Sequence, residues 1–193
     1  MHSTATLNRR KVAHELLAAR SDALLVAGLG STAWDAAAAG DTAGNFYLWG
    51  AMGGAAMIGL GLALAQPTRR VLVLTGDGEM LMGLGAFASI AVQQPANLAL
   101  VVIDNERYGE TGMQATHTHF GVDLAGVARA AGFAFTSTVV DETGLRDCIP
   151  ILFDDARGPA FVAVKVDASP VPLVLPPRDG VLLKNRFRDH VGL

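Results

Sequence analysis

The sequence predicts a doubly wound α/β fold, a mainly parallel sheet with helices on both faces. Three observations carry that expectation. Residues 71–74 and 98–103 are apolar throughout, without the polar alternation of a half-exposed strand, as strands covered on both faces require. Segments with helical spacing separate these and the other strand-like runs, which implies βαβ units with right-handed crossovers. The chain has 193 residues, 51% hydrophobic and 17% charged, enough to bury a core without disulfides.

Taken in order, residues 11–19 place Val12, Leu16 and Leu17 on one helical face. Residues 23–27 form a short apolar strand closed by Gly28-Leu29-Gly30-Ser31, and a small helix or turn comes next at 32–39. Residues 46–49 read as a strand and 52–65 as a helix of small residues, able to lie close against a sheet. After the strand at 71–74 comes a helix at 80–94, ended by Pro95, then the strand at 98–103 and a polar loop at 104–119. A helix at 124–131, a strand at 135–139, a helix at 143–153 and a strand at 160–166 complete the alternation. Residues 170–193 are proline-rich (Pro170, Pro172, Pro176, Pro177) and then basic (Arg178, Lys184, Arg186, Arg188). They read as an extended arm, packed on a partner or frayed. No repeat or linker divides the chain, so 1–193 is expected to be a single domain.

Several classes are disfavoured by composition. A net charge of −3 without a basic run gives no drive toward nucleic acid. The lone Cys148 rules out an internal disulfide framework, and the first eleven residues lack the apolar stretch of a secretory signal, so a cytoplasmic protein is expected. Residues 46–65 hold no charge over 20 residues, the length of a membrane span. Five glycines (Gly50, Gly53, Gly54, Gly59, Gly61) and many alanines give it little transfer energy, and burial within the α/β core is the expectation.

In such a sheet, ligands bind beyond the carboxyl ends of the strands. Three loops fall there. Gly28-Leu29-Gly30-Ser31-Thr32 offers amides and hydroxyls to a phosphate at a helix start, although strand-to-helix turns need glycine anyway. Gly76-Asp77-Gly78-Glu79 comes after the strand at 71–74, and Asp104-Asn105-Glu106-Arg107-Tyr108-Gly109 after the strand at 98–103. If those strands are neighbours, Asp77 and Asn105 stand together as two oxygen ligands. A backbone carbonyl and phosphate oxygens would then complete an octahedral Mg²⁺ shell, with the remaining phosphate charge met by the amides of Gly78 and Glu79. Taken singly, Asp77 suits an ordinary N-cap and Asn105 an ordinary turn. Their separation of 28 residues, with one helix between two buried strands, favours the paired reading.

Gly76-Asp77-Gly78 and then Asn105 resemble the metal–diphosphate motif of thiamine-diphosphate enzymes, and Gly50-Ala51-Met52-Gly53 is similar to the segment that holds the thiazolium in their pyruvate decarboxylase-type members. Residues 49–133, including Tyr108-Gly109-Glu110-Thr111-Gly112-Met113-Gln114 and Gly121-Val122-Asp123-Leu124, are most similar to the C-terminal domain of the decarboxylases acting on phosphonopyruvate and sulfopyruvate. The resemblance implies thiamine diphosphate and Mg²⁺ (or Ca²⁺) as cofactors and a small 2-oxo acid as substrate. It implies Asp77, Asn105 and the Arg107 carbonyl as metal ligands. The amides of Gly78 and Glu79 in the turn after Gly76 would hold the diphosphate, with Ser31 and Thr32 as helpers. Met52 would be the apolar wedge that bends the cofactor, and the Gly50 carbonyl would accept a hydrogen bond from its aminopyrimidine. For Met52 the alternative is a space-filling core residue; its position 25 residues before Asp77 matches the family. His117, His119 and Glu110 lie on a loop near the expected site, their roles left open.

The family also requires a glutamate on the pyrimidine ring, carried by a separate pyrimidine-binding domain of a facing chain. Nothing in this sequence matches that domain. The expectation is the diphosphate-binding subunit of a split decarboxylase, associated with itself and with a pyrimidine-domain subunit. Two alternatives stay open: a non-catalytic binder of thiamine diphosphate, and a Rossmann-type nucleotide-binding protein using Gly28-Leu29-Gly30. The last needs an acidic residue ending the next strand, and Asp41 comes too early.

Overall fold

A computed structural model describes residues 7–153 and 158–193. Six strands, β1 (Leu24–Ala27), β2 (Asn45–Tyr47), β3 (Val71–Gly76), β4 (Leu98–Asp104), β7 (Phe135–Val139) and β8 (Ala160–Lys165), form one sheet in the order β2-β1-β3-β4-β8-β7. Every pair is parallel. The chain leaves β1 in one direction and crosses to β3 in the other, so the topological switch point lies between these two strands.

Alternate side chains of the central strands enter two separate cores. Leu25, Leu72, Leu74, Val101 and Val162 face α1 (Arg9–Ala19), α2 (Ser31–Ala39) and α7 (Glu142–Phe153). Val26, Val73, Leu100 and Phe161 face α3 (Ala55–Ala65), α5 (Ala86–Gln93) and α6 (Leu124–Ala131). The sheet is therefore doubly wound, and strands buried on both faces explain the unbroken apolar runs. Phe87 stacks edge-on to Phe161 and Phe133, at 5.1 and 5.5 Å between ring centres, which holds α5 to β8 and to the turn after α6. Cys148 is buried. Among the described residues no helix is long and apolar enough to cross a membrane. The uncharged stretch ends in α3, whose small residues meet the sheet so closely that a Cβ on Gly59 would lie 2.1 Å from Val73 Cγ2.

Several boundaries differ from the expected ones, each for a local reason. The strand expected at 46–49 ends at Tyr47; Trp49 turns outward, donates to the Pro177 carbonyl at 2.8 Å and carries the Arg178 guanidinium 5.7 Å above its ring. The helix expected from Met52 begins at Ala55, because Ala51 (φ 59°) and Gly53 (φ 93°) hold a left-handed turn. The helix expected at 80–94 is two helices, α4 (Asp77–Met82) and α5. They break at Gly83, where a Cβ would lie 2.2 Å from the Gly53 carbonyl oxygen. That close approach fastens the Met52 turn to the end of α4. The polar loop contains a small hairpin, β5 (Arg107–Tyr108) with β6 (Gln114–Ala115), and a 3-10 turn at His117–Phe120.

The C-terminal segment is not simply an extended arm. Its proline-rich part runs without regular structure, but Gly180–Val191 forms a helix, α8, capped by Asp179. This helix docks on its own chain. Leu183 and Phe187 are buried, Phe187 meets Phe46 at 5.4 Å, and Arg186 grips both oxygens of Asp41 at 2.7 Å. It covers the sheet edge at β2, where open backbone groups would otherwise invite another strand.

Candidate active site

The carboxyl ends of β1, β3 and β4 border one cavity of about 790 Å³. It opens at the switch point, where doubly wound sheets place their ligands. Gly76 pairs in register with Ile103, so Asp77 and Asn105 do stand on adjacent strand ends, and both line the cavity with Gly76, Gly78 and Glu79. The expected neighbourhood of the two motifs is real.

Asp77 opens α4 and is 2% exposed. Both side-chain donors to it fall on one oxygen: Oδ2 accepts from the hydroxyls of Thr116 at 2.5 Å and Thr118 at 3.2 Å. The single Thr118 proton is shared between this oxygen and Asp104 Oδ1, 2.8 Å from the hydroxyl, so one hydroxyl bridges the two carboxylates. Burial, and then the nearby Asp104, push Asp77 from 3.8 up to about 6. A carboxylate held among oxygen donors and kept reluctant to ionise is a site that a divalent cation would relieve.

Asn105 Oδ1 accepts from the Arg107 amide at 3.0 Å, an Asx turn, and both residues line the cavity. Among the described residues no group of three or more His, Cys, Asp or Glu could hold a metal. The donor set available is one carboxylate, one amide and backbone carbonyls. That chemistry suits a hard cation sharing phosphate oxygens rather than zinc, so the residues present fit Mg²⁺ with a diphosphate. Gly78 must be glycine, since a Cβ there would come within 2.4 Å of the Tyr108 ring, and its bare backbone faces the cavity.

The other expected residues divide. Met52 lines the cavity and is 37% exposed, so it is not a core methionine. Gly50 is exposed and does not line the cavity. Ser31 lines it as the first residue of α2, a helix whose N-cap, Gly30, supplies no side-chain hydrogen bond. Thr32 does not line it: its hydroxyl is buried and donates to the Gly28 carbonyl at 3.0 Å. Glu110 lines the cavity against Gly30, where a Cβ would lie 1.7 Å from Glu110 Oε1, and partial burial raises its pKa. His117 and His119 do not line the cavity; His119 instead sits 3.2 Å from Glu106.

The sequence alone does not single out the Glu79 side chain, Thr116, Thr118 or Lys165. Glu79 is 3% exposed, and its Oε2 accepts from the Leu29 amide at 3.0 Å and the Thr75 hydroxyl at 2.8 Å. It ties the loop after β1 to the end of β3, and Gly28 leaves room for it. Burial raises its pKa, opposed by the Thr75 hydroxyl and by the amides of Leu29, Ala55 and Gly53, although Oε1 closes no full hydrogen bond.

Asp77 makes any metal affinity pH-dependent, because proton and cation compete for one carboxylate. Above about pH 6 the Mg²⁺-dependent affinity for thiamine diphosphate should be level; below it, affinity should fall by up to about tenfold per pH unit. Without ligand the sign reverses. A carboxyl whose folded pKa lies above its unfolded value stabilises the fold at low pH and loses that contribution as pH rises through about 6. Calorimetric titrations between pH 5 and 8 at about 0.15 M ionic strength check both directions, and a flat binding profile contradicts the assignment.

Comparison with known proteins identifies the family. The family described as "Thiamine pyrophosphate enzyme, C-terminal TPP binding domain" matches residues 29–164. The chain is 41% identical over 127 residues to the sulfopyruvate decarboxylase subunit beta of Methanothermobacter thermautotrophicus, covering 66% of this chain and 68% of that one. It is 38% identical over 128 residues to the phosphonopyruvate decarboxylase of Streptomyces viridochromogenes, covering 66% of this chain and 32% of that protein. The crystal structure of a putative thiamin diphosphate-dependent enzyme from Mycobacterium smegmatis superposes with a TM-score of 0.72 at 23% identity, over 86% of this chain and 32% of that one. The chain thus spans about a third of the length of the last two proteins.

Proposed function

The chain belongs to the thiamine pyrophosphate enzyme family, through the C-terminal, cofactor-binding domain, and from that premise we propose that it is the diphosphate- and Mg²⁺-binding subunit of a split 2-oxo acid decarboxylase of the sulfopyruvate or phosphonopyruvate type. The observation that carries the proposal is the pairing of Gly76 with Ile103, which brings the carboxylate of Asp77 and the amide of Asn105 to one rim of the cavity. Relatives named for these two decarboxylases support the substrate class.

Each residue then has a task. Asp77, the Asn105 amide oxygen and the Arg107 carbonyl hold Mg²⁺, and the amides of Gly78 and Glu79, with the Ser31 hydroxyl, hold the diphosphate. Met52, on a turn stiffened by the Gly53–Gly83 contact, would support the cofactor. The carbonyl of Gly50, exposed beside that turn, would accept from the aminopyrimidine. When bound, thiamine diphosphate supplies an electron sink for the carbanion left as a 2-oxo acid loses CO₂.

The proposal includes a partner subunit that brings a pyrimidine-binding domain and its activating glutamate, together with self-association. The name "subunit beta" borne by a relative supports a partner. So does the surface beside Met52: α3 carries no charge over Ala55–Ala65, and exposes Met57, Ile58 and Leu64, while Met82 and Leu84 stand exposed at the end of α4. Such a cluster marks an interaction face. We place the assembly in the cytoplasm, in keeping with a single, buried cysteine.

Titration of the full chain with thiamine diphosphate and, separately, with NAD, each with and without Mg²⁺, tests the reading. Mg²⁺-dependent binding of thiamine diphosphate alone is expected. Binding of NAD instead overturns it in favour of a nucleotide site, although Asp41, the nearest acid in sequence, lies before β2 rather than at its end and is held by Arg186 and Tyr47.

A further inference from the structure

Lys165, at the end of β8, pairs in register with Asp104 of β4, the residue before Asn105. Its Nζ lies 2.8 Å from Asp104 Oδ2 and 2.9 Å from Glu106 Oε1. One ammonium therefore joins the two carboxylates on either side of the proposed metal ligand. Asp104 is 2% exposed, and a buried carboxylate beside Asp77 is tolerable only with such a counter-charge.

The joint also fixes backbone shape. Glu106 is in the left-handed region at φ 60°, which costs a non-glycine residue on the order of 1 kcal/mol or more and persists only where its surroundings impose it. They do so here from every side. The Glu106 amide donates to Asp104 Oδ1 at 3.1 Å, its carbonyl accepts from the Thr116 amide at 3.1 Å and the Arg107 guanidinium at 2.9 Å, and its carboxylate is held by Lys165 and His119. That turn lets the Arg107 amide reach Asn105 Oδ1. Asp104 in turn anchors Thr118, which donates to Asp77.

We propose that Lys165 is a positioning residue of the metal centre: by joining Asp104 to Glu106 it sets the direction of the Asn105 amide and the Arg107 carbonyl and, through Thr118, of the Asp77 carboxylate. This rests on the metal-binding reading given above. Electrostatics and positioning make opposite predictions for it. Removing a positive charge from behind a cation site would, by Coulomb attraction alone, tighten cation binding; removing a brace weakens it.

Binding of Mn²⁺, monitored by electron paramagnetic resonance with thiamine diphosphate present, decides between them on the full chain. Lys165→Met should weaken Mn²⁺ binding by about tenfold or more, the usual cost of losing a group that orients a metal ligand. Lys165→Arg should restore most of it, and Glu106→Gln should give a smaller loss in the same direction. The double variant should lose less than the two single losses multiplied, since both act through one joint. Unchanged or tighter Mn²⁺ binding in a folded Lys165→Met variant overturns the inference. If that variant does not fold by circular dichroism, unchanged binding in Glu106→Gln overturns it instead. No Mn²⁺ binding by the unsubstituted chain overturns the metal reading itself, and the inference with it.

Discussion

Asp77→Ala should reduce the Mg²⁺-dependent affinity for thiamine diphosphate by on the order of 100-fold or more, since loss of a direct ligand exceeds the roughly 10- to 100-fold cost of losing an orienting group. The expected loss is clean because the fold does not depend on this carboxylate. Its buried charge is disfavoured, with a pKa raised to about 6, and the hydroxyls of Thr116 and Thr118 lie 2.9 Å apart and can satisfy one another without it. The thermal midpoint of the ligand-free variant should therefore match or exceed that of the parent at neutral pH. Calorimetry gives the first quantity and circular dichroism the second. Retained affinity would show that the cation, if bound, is held elsewhere.

The second large effect concerns turnover. The described residues that line the cavity include three acids, Asp77, Glu79 and Glu110. Two of these are already engaged, Asp77 with the threonines and Glu79 with Leu29 and Thr75. Under the split-enzyme proposal, the proton transfer that activates the cofactor falls to a partner's glutamate. A positioned acid or base contributes about 10²- to 10⁴-fold to a rate, so the purified chain, saturated with thiamine diphosphate and Mg²⁺, should decarboxylate sulfopyruvate or phosphonopyruvate slower by about that factor than the chain joined by the protein that co-purifies with it. Full turnover by the chain alone would refute the split-enzyme proposal. Cofactor binding without turnover, even with that partner present, would identify a non-catalytic binder.

Much of the fold and the site is legible in the residues themselves. Residues 71–74 and 98–103 announce strands covered on both faces, and glycines at 76 and 78 around a lone acid announce a strand-end turn open to a ligand. Met52 is legible through the motif around it, and its partial exposure in the cavity rim agrees. The tail is harder to read, because four prolines mask the helix beyond them. Yet Leu183 and Phe187, one helical turn apart, together with the capping Asp179, are a helix signal present in the sequence. Thr32 misleads for a different reason. A hydroxyl near a helix start can bond back to its own turn as readily as to a ligand, and here it takes the Gly28 carbonyl.

By itself the sequence determined which oxygen donors the chain owns, where its backbone turns and which strands lie in the interior. Those properties arise from local stereochemistry and from the burial of apolar side chains, and neighbours along the chain are enough to reveal them. Only the tertiary structure decided which further residues stand around the paired Asp77 and Asn105. β8 inserts between β4 and β7 although it comes after both in the sequence, and that insertion alone sets Lys165 against Asp104 and Glu106. The folding-back of the loop after β4 likewise brings Thr116 and Thr118 onto Asp77. Strand order is selected by how whole faces of the sheet pack against helices, so the spacing that pairs Asp77 with Asn105 does not record that Thr116, Thr118 and Lys165 join them.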